Sequence, residues 1–144
     1  MANLCIKQLS MDMVEDVFLI EKTFFPVSNN ASILSSFKNN NLNYFVLLLD
    51  EKIIGYLECS IVLDEAELYE IAIMEECQGC GYSKVLMDYF VDFCNDKKVS
   101  TIFLEVNRNN NKAISLYEKF GFVEYSVRKN YYGDNDAILM KKVL

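Results

Sequence analysis

The sequence predicts an α+β domain built on one central, twisted, mixed β-sheet of about six or seven strands, with helices on both faces. Three observations indicate this fold class. Strand-like and helix-like stretches alternate without an internal repeat, and a hairpin is followed by a strand, a helix, a strand, a helix and two further strands. The 144 residues are 52% hydrophobic and include one proline, so residues 1–144 are long and apolar enough to form a single domain with its own core.

The N-terminal part is predicted to contain a short strand and two helices. Residues 4–9 are typical of a strand. Asp12 and Glu15 resemble a capping box ahead of apolar residues at helical spacing, which predicts a helix that ends before Pro26. The polar stretch 28–43 carries a few spaced apolar residues and predicts a second, shorter helix.

From residue 44 onwards, strands and helices alternate. The predicted elements are the hairpin strands YFVLLL and IIGYLECSIVL, the strand ELYEIAIM, a helix after the segment ECQGCGYSK, the strand STIFLEV, a helix capped by Asn110 and ended by Gly121, and two closing strands at 122–131 and 137–143. This order predicts that the central sheet is mixed.

Composition narrows the classes of function. The net charge of −7 argues against a nucleic-acid-binding protein, which needs a basic face, and favours a cationic partner such as an amine or a basic peptide. No apolar run is long enough for a membrane span and no secretory signal is recognisable; five cysteines in that context predict free thiols and a cytoplasmic protein. Histidine is absent, so proton transfer must use Glu, Asp, Tyr, Cys, Lys or water.

The segment ECQGCGYSK, residues 76–84, allows two kinds of site. Cys77 and Cys80 form a Cys-x-x-Cys pair, which suits a dithiol. A zinc site needs further ligands close by, which the chain lacks, so no metal site is predicted. Gly79 and Gly81 before a helix suit a bound phosphate, because glycine adopts positive φ and the helix N-terminus offers free N–H groups. Taken alone, the glycines indicate a simple structural turn equally well.

Acidic and phenolic side chains inside apolar runs are the candidate proton-transfer groups. Glu58, Glu70 and Glu105 interrupt strand-like stretches, where a carboxylate is costly unless it is paired or functional. Each is therefore either a salt-bridged strand residue or a general base. Tyr117 lies on the apolar face of its predicted helix, and its position alone favours a core tyrosine.

These motifs resemble the GNAT superfamily of N-acetyltransferases, whose members carry Gln/Arg-x-x-Gly-x-Gly/Ala between a strand and a long helix. Residues 78–83, QGCGYS, match this pattern with Ser83 in the last position. VLDEAELYEIAI, FLEVNRNNNKAISLYEKFGF and the tail RKNYY…DAILM resemble one branch in particular, the RimI-type ribosomal-protein alanine N-acetyltransferases. This likeness runs from Val62 to the last predicted strand.

The resemblance implies an acetyl-CoA-dependent N-acetyltransferase that acts by direct transfer in a ternary complex. It implies that Glu105 is the general base and that Tyr117 is the general acid, which protonates the departing thiolate. Coenzyme A contacts are implied for Ile71, Ala72, Ile73, Gly79, Cys80, Gly81, Tyr82, Ser83, Lys84 and Asn110, and acceptor contacts for Tyr131 and Tyr132. Asn110 is also a plausible helix N-cap, and the two roles are compatible.

The implied acceptor is a basic protein or peptide N-terminus, namely the N-terminal alanine of a small-subunit ribosomal protein. The alternatives are an acetyltransferase for a small amine (a polyamine or an antibiotic), a thiol redox protein acting through Cys77 and Cys80, and a non-catalytic acyl-CoA-binding module. We expect no nucleic-acid or membrane partner, and a monomer or a weak dimer.

Overall fold

A computed structural model, which describes residues 2–26 and 28–144, contains one seven-stranded sheet with helices on both faces, and the predicted fold class is confirmed. The strands are β1 (Leu4–Gln8), β2 (Leu42–Leu49), β3 (Lys52–Val62), β4 (Glu65–Ile73), β5 (Thr101–Asn107), β6 (Val123–Tyr132) and β7 (Asn135–Val143). The helices are α1 (Val14–Phe24), α2 (Ala31–Ser35), α3 (Tyr82–Asp96) and α4 (Asn111–Lys119), with short 3-10 helices at Met11–Met13 and Glu75–Cys77.

The start of α1 differs from the prediction. The helix begins at Val14 after the 3-10 helix, and its N-cap residue Met13 makes no side-chain cap. Asp12 accepts a hydrogen bond from the hydroxyl of Ser10 instead of forming a capping box with Glu15. The capping-box prediction was wrong because the 3-10 turn moves the helix start past Asp12, so Met13 takes the N-cap position and Glu15 lies in the first turn of the helix.

The sheet order is β1-β2-β3-β4-β5-β7-β6, and neighbouring strands are antiparallel except for β4 and β5. This one parallel pair needs a crossover, which α3 supplies. Because strand side chains alternate, Phe45 and Leu47 of β2 join the core under α3 and α4, whereas Tyr44 and Val46 join the core under α1. The helices of the described part of the chain are all too short or too polar to span a membrane.

The two parallel strands separate half-way along their length. Residues 65–68 of β4 pair with residues 101–104 of β5, and the pairing ends at Leu68 and Leu104. A bulge at this point places Glu70 opposite Glu58 while Leu68 faces Cys59, which leaves Tyr69 as the extra residue. The bulge and the separation open a wedge in the sheet, bordered by the end of β4 and the end of β5.

Candidate active site

The glycine loop at the start of α3 forms an open backbone cradle. Gly79 and Gly81 have φ of 83° and 81°, a left-handed conformation that favours glycine. A Cβ atom added at either glycine would meet no atom within 4 Å. The loop therefore leaves free space where a phosphate can approach the first N–H groups of α3, which carry the positive end of the helix dipole.

The side chain of Gln78 connects this loop to its surroundings. Its Nε2 donates to the carbonyl oxygen of Ile73, 3.0 Å away, at the end of β4. Its Oε1 accepts from the Nζ of Lys112 in α4, 3.5 Å away. Gln78 thus connects the loop to the end of β4 and to Lys112, and Lys84 is exposed in the first turn of α3. Glu75 and Glu76 are exposed as well, in the 3-10 turn before the loop.

The predicted coenzyme A residues follow this same path through the fold. Ile71, Ala72 and Ile73 pair with β3 on one side and have no β5 partner on the other, so their backbone groups border the wedge. Tyr82 and Ser83 are half-buried at the start of α3, whereas the backbone from Gly79 to Gly81 is exposed. The geometry of this path fits an extended thioester arm that ends in a pyrophosphate.

Asn110 caps α4, and the five cysteines are free thiols. The side-chain oxygen of Asn110 accepts from the N–H of Ala113, 3.1 Å away, so Asn110 caps α4. All five cysteines are free, with Cys77 half-buried against the core and Cys80 exposed. Within residues 2–26 and 28–144, no three acidic or cysteine side chains are arranged to hold a metal ion.

Glu105 lies on the β5 side of the wedge and is paired with an arginine. Its neighbours Leu104 and Val106 point into the core under α3, so the Glu105 side chain points to the opposite face. There its Oε1 lies 3.1 Å from Nη2 of Arg128 on β6, and 22% of the side chain is exposed. Glu105 is therefore ion-paired, as expected of a salt-bridged strand residue. It is also accessible, as a general base has to be.

Tyr117 and Tyr132, two phenols of the predicted site, both have raised pKa values. Burial raises the pKa of Tyr117 to about 12, and the nearby phenol of Tyr132 adds to the shift. Burial also raises the pKa of Tyr132, and the carboxylate of Glu105 is the next cause. Tyr131 packs edge-on against Tyr132 at 5.1 Å between ring centroids, and the guanidinium of Arg128 lies 5.5 Å from the Tyr131 ring centre. Glu105, Arg128, Tyr131 and Tyr132 are thus linked by successive contacts, and Tyr117 lies in the core under α3 and α4.

The two other glutamates considered as bases lie on the far side of the wedge. Glu70 follows the bulge of β4 and accepts a hydrogen bond of 2.8 Å from the hydroxyl of Tyr56. Burial raises the pKa of Glu70 to about 7 and also raises the pKa of Glu58. Both lie close to Glu21 of α1, a residue to which the sequence assigned no role.

Comparison with known proteins decides the family. The model of the acetyltransferase (GNAT) family matches residues 11–122. The chain belongs to this family. It is 42% identical over 140 residues to the ribosomal protein bS18-alanine N-acetyltransferase of Haemophilus influenzae, covering 94% of this chain and 95% of the relative. It is 38% identical over 100 residues to the enzyme of the same name from Escherichia coli K12, covering 67% and 68%.

Solved structures agree with this GNAT assignment. The crystal structure of the ribosomal-protein-S18-alanine N-acetyltransferase from Escherichia coli superimposes with a TM-score of 0.90 at 30% identity, covering 98% of this chain and 94% of that one. Ard1 from Thermoplasma volcanium gives 0.88 at 27% identity, covering 98% and 97%. As a GNAT enzyme, the chain is an N-acetyltransferase, and its family uses acetyl-CoA as the acetyl donor.

The structure adds residues that the sequence did not assign to the GNAT site. Arg128 and Lys112 contribute cations from β6 and α4; both lie in segments that resemble the RimI-type branch, but the resemblance assigned them no role. Gln78 could have been chosen, because it is the first residue of the family pattern. Glu21 carried no signal, since one glutamate in an amphipathic helix is ordinarily exposed.

Proposed function

We propose that this GNAT enzyme acetylates the N-terminal α-amine of a protein, and specifically the N-terminal alanine of a small-subunit ribosomal protein. The observation that carries the proposal is the separation of β4 and β5 after Leu68 and Leu104, which leaves residues 71–73 unpaired on that side and the accessible carboxylate of Glu105 just past the last pair. The names of relatives that cover nearly the whole chain support the choice of acceptor.

Glu105 acts as the general base in this proposal. An α-ammonium has an ordinary pKa of roughly 8, so near neutral pH it is mostly protonated. It becomes a nucleophile once a base removes one proton. The Glu105 carboxylate is accessible at the wedge and can take that proton directly or through water. Arg128 holds the carboxylate in place, with its Nη2 3.1 Å from Oε1 of Glu105.

Tyr117 acts as the general acid. Its pKa of about 12 keeps the phenol protonated at every pH at which the enzyme is expected to work. A protonated phenol can donate to the thiolate that leaves when the amide bond forms. Its burial in the core fixes the direction in which it donates, because only 7% of the residue is exposed.

The acetyl donor is held by backbone groups more than by side chains. Acetyl-CoA supplies an activated thioester, and the unpaired N–H groups of residues 71–73 can stabilise the negative charge that develops on its carbonyl oxygen. The loop from Gly79 to Gly81, with Tyr82, Ser83 and Lys84 in the first turn of α3, receives the pyrophosphate. Lys112 and the free amide of Asn110 add polar contacts from α4.

The acceptor is proposed to enter on the face that carries Tyr131 and Tyr132. Both phenols are exposed at the end of β6, where the register shifts between Arg128 and Tyr132 and the N–H of Asn130 donates to the side chain of Asp136 on β7. An extended peptide can pack against such aromatic surfaces.

An acceptor assay tests the proposal. Synthetic peptides that begin with alanine, a matched set with a blocked α-amine, and small amines such as spermidine are incubated with acetyl-CoA, and thiol release is measured. We expect turnover of the free peptides only. Turnover confined to small amines would overturn the choice of acceptor, and thiol release that needs Cys77 and Cys80 but no amine would indicate thiol chemistry instead.

A further inference from the structure

A cluster of three glutamates lies behind the β4 side of the wedge, under α1 and α2. Glu58 on β3 and Glu70 on β4 are directly opposite each other in the strand register. Their side chains point to the same face, at a separation where like charges repel. Glu21 approaches them from α1 and is 2% exposed. Three carboxyl groups from three elements therefore meet in one partly buried place, which we call the glutamate cluster.

The hydrogen bonds around the glutamate cluster come only from neutral hydroxyls. Ser28 donates to Oε1 of Glu21 at 2.7 Å, Ser32 donates to Oε2 of Glu58 at 3.0 Å, and Tyr56 donates to Oε1 of Glu70 at 2.8 Å. Among residues 2–26 and 28–144, no lysine or arginine forms an ion pair with any of the three carboxylates. The protein thus brings negative charge together without supplying the cation that would balance it.

One oxygen of the cluster has no partner at all. Oε2 of Glu21 is buried and lacks a hydrogen bond in the described part of the chain. The carboxyl groups of Glu21 and Glu70 lie within hydrogen-bonding reach of each other, which helps only if one of them carries a proton. A buried acceptor without a donor is costly, so the cluster requires either a shared proton or a cation from outside.

The cluster is accessible from solvent through an open cleft. Glu58 and Glu70 line this cleft of about 520 Å³ together with Ser32, Asn39, Leu42, Ser60 and Tyr69. No group of three metal-ligating side chains is found among the described residues, and carboxylate oxygens also accept hydrogen bonds from organic cations. An ammonium or guanidinium group has several donors and can contact separated carboxylates at once.

The position of the cleft relative to the wedge limits which cation can bind in the cleft. Glu58 lies on β3, one strand beyond β4 and away from β5, and strands are spaced about 4.8 Å apart. The amine that receives the acetyl group has to lie at the wedge, next to Glu105. Within the proposed peptide acceptor, a positive group on the methylene stem of a lysine or arginine is the cation that can reach Glu58 and Glu70 while the α-amine lies at the wedge.

We propose that the glutamate cluster binds a lysine or arginine side chain at the second or third residue of the acceptor and so determines acceptor specificity. This inference rests on the proposed function, because it assumes a peptide acceptor. Its chemistry matches the acidic net charge of −7 and the expectation of a basic partner. A polyamine, whose second ammonium group could occupy the same cleft, is the competing occupant that the test distinguishes.

The test compares peptides that differ by one charge. Alanine-starting peptides carry lysine or norleucine at the second or the third position, and kcat/KM is measured for each. We expect wild-type enzyme to prefer lysine by about tenfold or more at one of these positions, the effect of hydrogen bonds to a charged group. In Glu58→Gln and in Glu70→Gln the lysine/norleucine ratio should fall towards one. Glu15→Gln, which removes an exposed charge from α1, should keep the wild-type ratio.

The lysine/norleucine ratio of kcat/KM is measured within each protein. A lower fraction of folded enzyme reduces both values equally and leaves their ratio unchanged. Equal kcat/KM for both peptides in the wild type would overturn the inference while leaving the proposed function intact, as would a ratio that survives both substitutions. If no alanine-starting peptide is acetylated, the proposed function fails. Acetylation of spermidine that is lost in Glu58→Gln would then assign the cluster to a polyamine and overturn the peptide inference.

Discussion

The guanidinium of Arg128 lies 3.1 Å from the carboxylate of Glu105, although the two residues belong to strands that are not neighbours in the sheet. Arg128 is on β6 and Glu105 on β5, and β7 runs between them. The ion pair therefore crosses the face of β7, on the side where the acceptor is proposed to enter. It also joins the proposed base to Tyr131, over whose ring the guanidinium lies.

Replacing Arg128 should affect catalysis more than stability. The arginine side chain is 54% exposed, and exposed ion pairs contribute only about 0–1 kcal/mol to folding. We expect Arg128→Gln to change the free energy of unfolding by less than about 1 kcal/mol but to lower kcat/KM for the peptide acceptor, because Glu105 loses the group that positions it. Arg108→Gln is the matched control, since Arg108 is equally exposed and pairs with Asp136. Equal kinetic effects from both substitutions would contradict the positioning role.

Glu105→Gln tests the base. The amide keeps the shape of the side chain but cannot accept the proton, so kcat should fall by about 10²- to 10⁴-fold. Affinity for coenzyme A, measured by calorimetry, should stay at the wild-type level because the carboxylate is remote from the glycine loop. Glu124→Gln, on the exposed surface of β6, serves as the control. Should Glu105→Gln retain full activity while Glu70→Gln loses it, the base is Glu70.

Tyr117→Phe removes the proposed acid without emptying its place in the core. We expect kcat to fall by about 10²-fold or more, with the loss smaller for acetyl donors whose leaving group is a stronger acid. Because the pKa of Tyr117 is about 12, the wild-type rate should show no decline from ionisation of this group around neutral pH. Tyr125→Phe, an exposed tyrosine on β6, is the control. A rate that is independent of Tyr117 would refute its assignment.

Gly81→Ala tests the backbone cradle. Alanine at a φ of 81° costs about 1–2 kcal/mol, and its Cβ would occupy the space left for the phosphate. Gly133→Ala has a matched backbone cost, since Gly133 has a φ of 70° and equally open surroundings in the β6–β7 turn. We expect both variants to lose similar thermal stability and only Gly81→Ala to lose coenzyme A affinity, by about tenfold or more. Similar affinities in the two variants would place the pyrophosphate elsewhere.

The glutamate cluster should make the free protein less stable as pH rises. In the folded state the pKa of Glu70 is raised to about 7, mainly by burial and also by the neighbouring carboxylates of Glu21 and Glu58. In an unfolded chain the pKa of a glutamate is about 4.3. Between these values the folded state binds more protons, so its stability declines with increasing pH across that window. Allowing for partial solvent access, we expect about 1 kcal/mol, or about 3 °C in Tm.

Thermal unfolding of wild type and Glu70→Gln at about pH 5 and about pH 8 measures this effect. The decline in Tm with pH should be smaller in the variant, because the glutamine does not titrate. Glu15→Gln again controls for the loss of one charge. An identical pH dependence in wild type and Glu70→Gln would show that this carboxyl group does not hold a proton in the folded state.

Much of the fold was predictable because its signals are local. The hairpin, the strand before the glycine loop, α3 and the capped α4 all follow from alternation, helical spacing and capping residues within short windows. The start of α1 was mispredicted because a 3-10 turn competes with a capping box on the same local residues. The predicted site residues were chosen by resemblance, and their catalytic and binding roles stay predictions for the experiments above.

The sequence by itself determined the fold class and the family. The family pattern in the glycine loop also favoured a phosphate site over a dithiol site at Cys77 and Cys80. Only the tertiary structure decided which charges meet. The pairing of Glu105 with Arg128 depends on β7 lying between β5 and β6, and the glutamate cluster depends on a one-residue bulge that turns Glu70 towards α1. Both depend on strand order and register, which are set by contacts between residues far apart in the chain and leave no signal in any short stretch of it.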